Sequence, residues 1–190
     1  MTTVIVIIVV VVVLLLVAAA VVVPRMRSQR LQKQFGPEYR RTVASRGDRG
    51  AAEHDLRERE QRRKELEIRP LDAGARNAYA QRWRNTQERF VDAPTEAVGD
   101  ADALVQQVMH DRGYPVGEFE QQARDVSVDH ADVVSEYHAA HEISVLNEHG
   151  QASTEQLREA MVHYRALFSE LLHDGDNPSG LTDPSNEQAR

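Results

Sequence analysis

The chain has 190 residues, of which 28% are charged and only 5% are aromatic, so any core must rest mainly on aliphatic side chains. It contains no cysteine, which excludes a disulfide scaffold, a thiolate nucleophile and a cysteine-based zinc site. Residues 24–69 hold 14 Lys and Arg against 8 Asp and Glu, a balance of +6, whereas residues 70–190 hold 9 against 22, a balance of −13. This asymmetry predicts partners of opposite charge for the two parts.

The N-terminal segment is a run of 20 residues, 4–23, drawn only from Val, Ile, Leu and Ala. A helix of that length spans about 30 Å, the hydrocarbon thickness of a bilayer. We therefore expect a single transmembrane anchor. The alternative is a signal peptide cleaved near Ala18-Ala19-Ala20, but the apolar run is long for one and no basic residue precedes it.

Four basic residues follow the anchor before the first acidic one, and these are Arg25, Arg27, Arg30 and Lys33. Positive residues remain on the cytoplasmic side, so we expect a protein of the cell membrane with its N-terminus outside and its soluble region in the cytoplasm. The same four side chains are predicted to contact anionic lipid, because they lie nearest the bilayer.

Residues 24–69 are predicted to form a charged helical stalk. A short basic helix over residues 25–35 should end at Gly36-Pro37, and a second helix should run from about 48 to 67. Acid-then-base pairs one turn apart follow along this second helix: Glu53–Arg57, Asp55–Arg59, Glu58–Arg62 and Glu60–Lys64. Its apolar stripe is weak, so we interpret it as an exposed spacer, with a weak coiled coil as the alternative.

Residues 70–173 are predicted to form a small helical bundle. Asp72 should cap a helix whose apolar face recurs at helical spacing through Ala75, Tyr79, Trp83, Thr86 and Phe90. A second helix should begin near residue 94 and end at Gly113.

The second half of the bundle begins with a short helix carrying Phe119. Asp129 is predicted to cap the helix after it, and Ser153 with Gln156 forms a capping box for the last one. Residues 174–190 are rich in Gly, Pro, Ser, Asn and Asp and should be disordered. The predicted fold class is all-α: one N-terminal transmembrane helix, charged stalk helices, then a small helical bundle.

Four stretches resemble a widespread actinobacterial family of short proteins described as hypothetical, membrane or secreted. They are FGPEYRRTV (35–43), RFVDAPTEAV (89–98), RGYPVGEFEQ (112–121) and MVHYRALF (161–168). The resemblance covers nearly the whole chain between the anchor and the tail. It implies membrane attachment and helical content, and it transfers no catalytic residue.

The histidines are the main candidates for chemistry. His138 and His141 are three residues apart, which is not the spacing of a His-Glu-x-x-His zinc motif. On a helical wheel His141 falls within the apolar stripe and His138 at its edge, so we interpret His141 as a buried structural histidine. His163 could approach His141, which leaves a small helical metal-binding protein or hydrolase using His138, His141 or His163 as the alternative.

Other motifs are weaker. Glu170 and His173 match the Glu-x-x-His element of di-iron bundles, but those sites need it twice. No nucleotide-binding glycine pattern and no Gly-x-Ser-x-Gly elbow occurs. Nucleic acid is not expected as a partner, since the acidic bundle would repel phosphate and aromatic side chains are scarce among the arginines.

The sequence therefore favours a non-enzymatic, single-pass, membrane-tethered helical module that contacts an unidentified protein partner. No catalytic residue, cofactor or metal ligand is assigned.

Overall fold

The computed structural model describes the backbone of residues 2–173 and, within them, the side chains of residues 22–23 and 25–173. This part of the chain is helical without strands, as predicted for an all-α protein. The helices are α1 (Thr2–Arg46), α2 (Arg49–Glu65), α3 (Ala73–Arg89), α4 (Pro94–Arg112), α5 (Phe119–Val126), α6 (Val134–Glu148) and α7 (Thr154–His173). The predicted tail, residues 174–190, lies outside the described residues.

Within the described residues, no helix combines the length and the apolar composition needed to cross a membrane. All but the last two side chains of the predicted anchor, residues 4–23, lie outside the described set. The anchor therefore stays a prediction.

Helix α1 is interrupted at Gly36, where φ is +43° and ψ is −118°. A positive φ of this kind is accessible to glycine and strained for other residues. The break lies where the Gly36-Pro37 pair predicts the end of the first stalk helix. The helix resumes beyond it and continues to Arg46.

Helix α2 is not the exposed spacer that its charges suggest. Ala52 and Leu56 are completely buried, and Leu56 packs in a small core with Leu31, Phe35 and Tyr39 of α1. One of the four predicted pairs, Asp55–Arg59, is present. Elsewhere on α2 the charges have other partners: Glu53 pairs with Arg49, Glu58 with His54, Arg62 with Asp125 and Glu60 with Arg30. The spacer interpretation was wrong because Ala52 and Leu56 give α2 a buried face, and charged residues of that face pair with Arg46 and Glu38 of α1.

The main core lies in the predicted bundle. Helix α7 packs against both α4 and α6, and α3 covers α4. Across this core the ring of Trp83 on α3 stacks on Phe168 of α7 with 4.7 Å between centroids. The predicted apolar face of α3 is thus confirmed as a core face, with Tyr79, Trp83 and Thr86 buried.

The predicted caps are confirmed with one exception. The Asp72 carboxylate accepts a hydrogen bond from the Ala75 amide at 2.8 Å. Ser153 and Gln156 form the reciprocal capping box, with the Ser153 amide donating to Gln156 Oε1 at 2.9 Å. Asp129 does not cap α6, which begins further along the chain. Its carboxylate instead accepts a 2.9 Å hydrogen bond from the Tyr114 hydroxyl.

Ion pairs join the stalk helices to the bundle. Arg62 donates to Asp125 of α5 at 2.8 Å, and Arg63 pairs with Asp129. Arg124 of α5 donates in return to Asp55 of α2 at 2.8 Å. Helix α1 also contacts α6. The stalk helices therefore lie along one flank of the bundle, and that placement creates the cleft described below.

Candidate functional site

The two histidines of α6 have the reverse of their predicted environments. His138 is 7% exposed, whereas His141 is half-buried and stacks on the Phe119 ring at 3.6 Å with the planes 7° apart. His138, at the edge of the apolar stripe, is buried because α1 contacts α6 on that flank and the Phe119 ring lies edge-on to the imidazole, with 5.1 Å between centroids. A helical wheel of α6 alone does not show which other helices pack against it.

The remaining candidate residues have separate partners. His163 Nδ1 lies 2.6 Å from Glu136 Oε2, and His173 Nδ1 lies 2.7 Å from the Ser169 carbonyl oxygen. Glu170 lies 3.4 Å from His130 Nδ1. Across the described side chains, no group of three or more His, Asp or Glu is placed to hold a metal ion.

A network of buried charges lies between α1, α2 and α5, centred on Asp55, which is 4% exposed. Its Oδ2 accepts from Nε and Nη2 of Arg46 at 2.8 and 2.6 Å. Its Oδ1 accepts from Arg59 at 3.0 Å and from Arg124 at 2.8 Å. Burial by itself would raise the pKa of Asp55, but the hydrogen bonds from Arg46 and Arg59 outweigh it and lower that pKa.

Arg59 extends the network towards α1. Although only 8% of the residue is exposed, its guanidinium is well satisfied. Nη1 donates to Glu38 Oε1 at 2.7 Å and to Ser127 Oγ at 3.1 Å, while Nε is held by Asp55. The sequence places Arg59 where an apolar seam residue is expected. The structure shows that two carboxylates compensate the charge there.

The network forms one wall of a polar cleft of about 380 Å³, here named the arginine cleft. Four arginines and one histidine line it: Arg41, Arg46, Arg59, Arg124 and His138. The arginines come from three helices, and α6 supplies the histidine.

Arg41 stands apart from the other arginines of the cleft. It is exposed, and within the described residues no hydrogen bond or ion pair holds its guanidinium. It nonetheless acts on His138 through space. Burial lowers the pKa of His138 to about 4, the positive charge of Arg41 adds to that effect, and Glu120 opposes it. His138 is therefore neutral at pH 7, although it faces a carboxylate.

A second polar network lies inside the bundle and joins α4, α6 and α7. The hydroxyl of Tyr164 donates to Asp102 Oδ1 at 2.9 Å and lies 2.8 Å from Ser144 Oγ. Burial raises the pKa of Asp102, and the hydrogen bond from Tyr164 opposes that rise. These contacts satisfy polar groups between packed helices, which is a structural role.

Comparison of the chain with protein-family models, with curated proteins and with solved structures finds no match. The resemblance to the actinobacterial family stays a prediction. The function is therefore argued from the residues and contacts of this chain.

The environment of His138 predicts an unusual titration. In phosphate-free buffer its ring signals should titrate with a midpoint of about pH 4, against the ordinary 6.5, because burial, Arg41, Arg59 and His141 disfavour its proton. Between pH 6.5 and 4 the His138 ring is protonated in the unfolded chain but stays neutral in the folded chain. Stability present above pH 6.5 is therefore lost as pH falls towards 4.

Histidine-detected NMR tests this titration, with His138→Gln used to assign the signal. The variant should also lose less stability than the wild type between pH 6.5 and 4. A midpoint of pH 6 or higher would show that the ring is solvated.

Proposed function

We propose that the protein is a non-enzymatic, single-pass membrane-tethered interaction module. In this proposal residues 4–23 anchor it in the cell membrane with its N-terminus outside. The basic residues Arg25, Arg27, Arg30 and Lys33 contact anionic lipid on the cytoplasmic side. The bundle lies in the acidic part of the chain, residues 70–190, and is then available to a protein partner. The partner surface that complements this charge is a basic one.

One observation carries the membrane part of the proposal: an exposed stripe on α1 that changes from apolar to basic along its length. Val22 and Met26 are 50% and 64% exposed, and Arg30 and Lys33 continue the same face one turn at a time. The opposite face, with Ser28, is buried against α2. Apolar side chains followed by basic ones are the pattern expected where a helix leaves the hydrocarbon and enters the headgroups.

An acidic residue of the stalk competes only weakly for Arg30. Glu60 of α2 lies 3.8 Å from Arg30, whose side chain remains 78% exposed. An ion pair this open to solvent contributes little. By comparison, each base near an anionic surface contributes about 1 kcal/mol, or roughly 4 kcal/mol for four at low salt. For Arg30, lipid contact is therefore favoured over the internal pair.

Vesicle sedimentation of residues 24–190 tests lipid contact without the anchor. We expect weak binding to vesicles containing anionic lipid and release as salt rises, because screening acts over about 8–10 Å. Replacing Arg25, Arg27, Arg30 and Lys33 by Gln should abolish the binding. Equal sedimentation with neutral vesicles would refute the proposal.

A charge-matched control separates local contact from overall charge. Four exposed bases elsewhere, Arg57, Lys64, Arg84 and Arg165, are replaced by Gln. This variant loses the same net charge but keeps the stripe on α1, so it should bind anionic vesicles as the unchanged chain does. If both variants lose binding equally, the bases of α1 have no special role.

A further inference from the structure

We propose that the arginine cleft binds the phosphate group of an anionic ligand. The proposal concerns residues other than those of the α1 stripe, so it stands or falls independently of lipid contact by that stripe.

The charge balance of the cleft favours an anion. Its four arginines face three carboxylates, those of Glu38, Asp55 and Glu120. Glu38 and Asp55 are buried and already engaged by arginines, and His138 is neutral. The cleft thus carries one positive charge more than its carboxylates compensate. That excess is concentrated in a concave polar surface, where the field of a charge acts more strongly than on an open face.

Hydrogen-bond donors remain available for a ligand. The Arg41 guanidinium has none of its donors engaged within the described residues. Arg124 uses Nη2 on Asp55, and its Nη1 takes no part in that contact. Arg46 uses Nε and Nη2 on Asp55, and its Nη1 takes no part in that contact. The three guanidinium groups come from α1 and α5, so a ligand could accept from more than one helix.

Phosphate fits this arrangement better than a single carboxylate does. Its oxygens can accept from guanidinium groups on different helices, whereas one carboxylate offers two oxygens in one plane. A bound dianion would also offset the positive charges that disfavour the proton on His138, and it would therefore raise the pKa of that residue. The volume of about 380 Å³ leaves room for more than the phosphate group itself.

Calorimetry of the full chain in non-ionic detergent with inorganic phosphate tests the site, with potassium chloride at equal ionic strength as the reference. We expect saturable binding that Arg41→Gln weakens about tenfold or more, the size of a lost charge-assisted contact. Arg40→Gln is the matched control, since Arg40 is the exposed neighbour that does not line the cleft. Arg41 has no partner within the described residues whose loss would destabilise the fold, and thermal unfolding checks this.

The source of the phosphate is distinguished by a second arm. The full chain is placed in neutral-lipid nanodiscs with or without phosphatidic acid, and the His138 ring signal is followed. A shift on adding inorganic phosphate to the neutral discs, absent in Arg41→Gln, supports a soluble phosphate ligand. A shift that depends on Arg41 but occurs only with phosphatidic acid supports a lipid phosphate. No shift and no saturable binding in either arm, or equal effects of Arg40→Gln and Arg41→Gln, would overturn the site.

Discussion

Replacing Asp55 by Asn should lower the free energy of unfolding by about 3–5 kcal/mol, the usual cost of removing one partner from a buried ion pair. Asp55 accepts hydrogen bonds from Arg46, Arg59 and Arg124. The first and last of these are partly exposed and can recover water. Arg59 is buried and cannot, so it retains only Glu38 as a charged partner.

Urea unfolding of Asp55→Asn measures this loss, and Glu58→Gln on the same helix is its control. The Glu58 side chain is 63% exposed and faces His54 rather than an arginine, so the control should change stability by less than about 0.5 kcal/mol. If both variants lose under 1 kcal/mol, the Asp55 network is solvated and does not connect the stalk to the bundle.

The elements predicted correctly from sequence are those set by local chemistry. The buried face of α3 was predicted from the spacing of Tyr79 and Trp83. The start of α3 was predicted from Asp72, which caps the amide three residues further on. The capping box at Ser153 and the glycine at the end of α4 are likewise contained within a few residues of chain. Such signals need no knowledge of the partner helix.

The arginine cleft depends on contacts that are distant along the chain. Arg59 meets Glu38, 21 residues away, and Ser127, 68 residues away. Periodicity treats an arginine on a seam as a polar interruption, so α2 was interpreted as exposed. The relevant signal was present, because Ala52, Leu56 and Arg59 share one face. The sequence did not reveal which carboxylates would compensate the buried charge of Arg59.

The histidines show the same limit. The helical wheel of α6 correctly indicated an apolar stripe, since Tyr137 and Ala140 on that stripe are buried. His138 lies beside that face, and the cleft in front of it is lined by residues of α1 and α2 that are more than 70 residues earlier in the chain. Whether a side chain at this position is buried depends on where a segment distant along the chain packs. A helical wheel of α6 does not show this.

A second large effect is expected where the stalk passes over the end of α4. Gly113 ends that helix with a φ of +97°, and a Cβ at this position would lie 2.4 Å from the carbonyl oxygen of Glu67. The backbone carrying that oxygen cannot easily move away. Its neighbour Ile68 packs against the main core, and the Arg69 amide donates to the Arg112 carbonyl at 2.9 Å.

Gly113→Ala should therefore destabilise the fold by about 2–5 kcal/mol, through left-handed strain of about 1–2 kcal/mol and a backbone overlap costing about 1–3 kcal/mol more. Gly150→Ala separates the two terms. Gly150 also has a positive φ, of +65°, but a Cβ there meets nothing within 4 Å. It should cost the strain alone, about 1–2 kcal/mol. Thermal and urea unfolding of both variants give the difference. Equal losses of stability would mean that residues 67–69 are not held against the end of α4. A larger loss for Gly113→Ala measures the cost of displacing these residues.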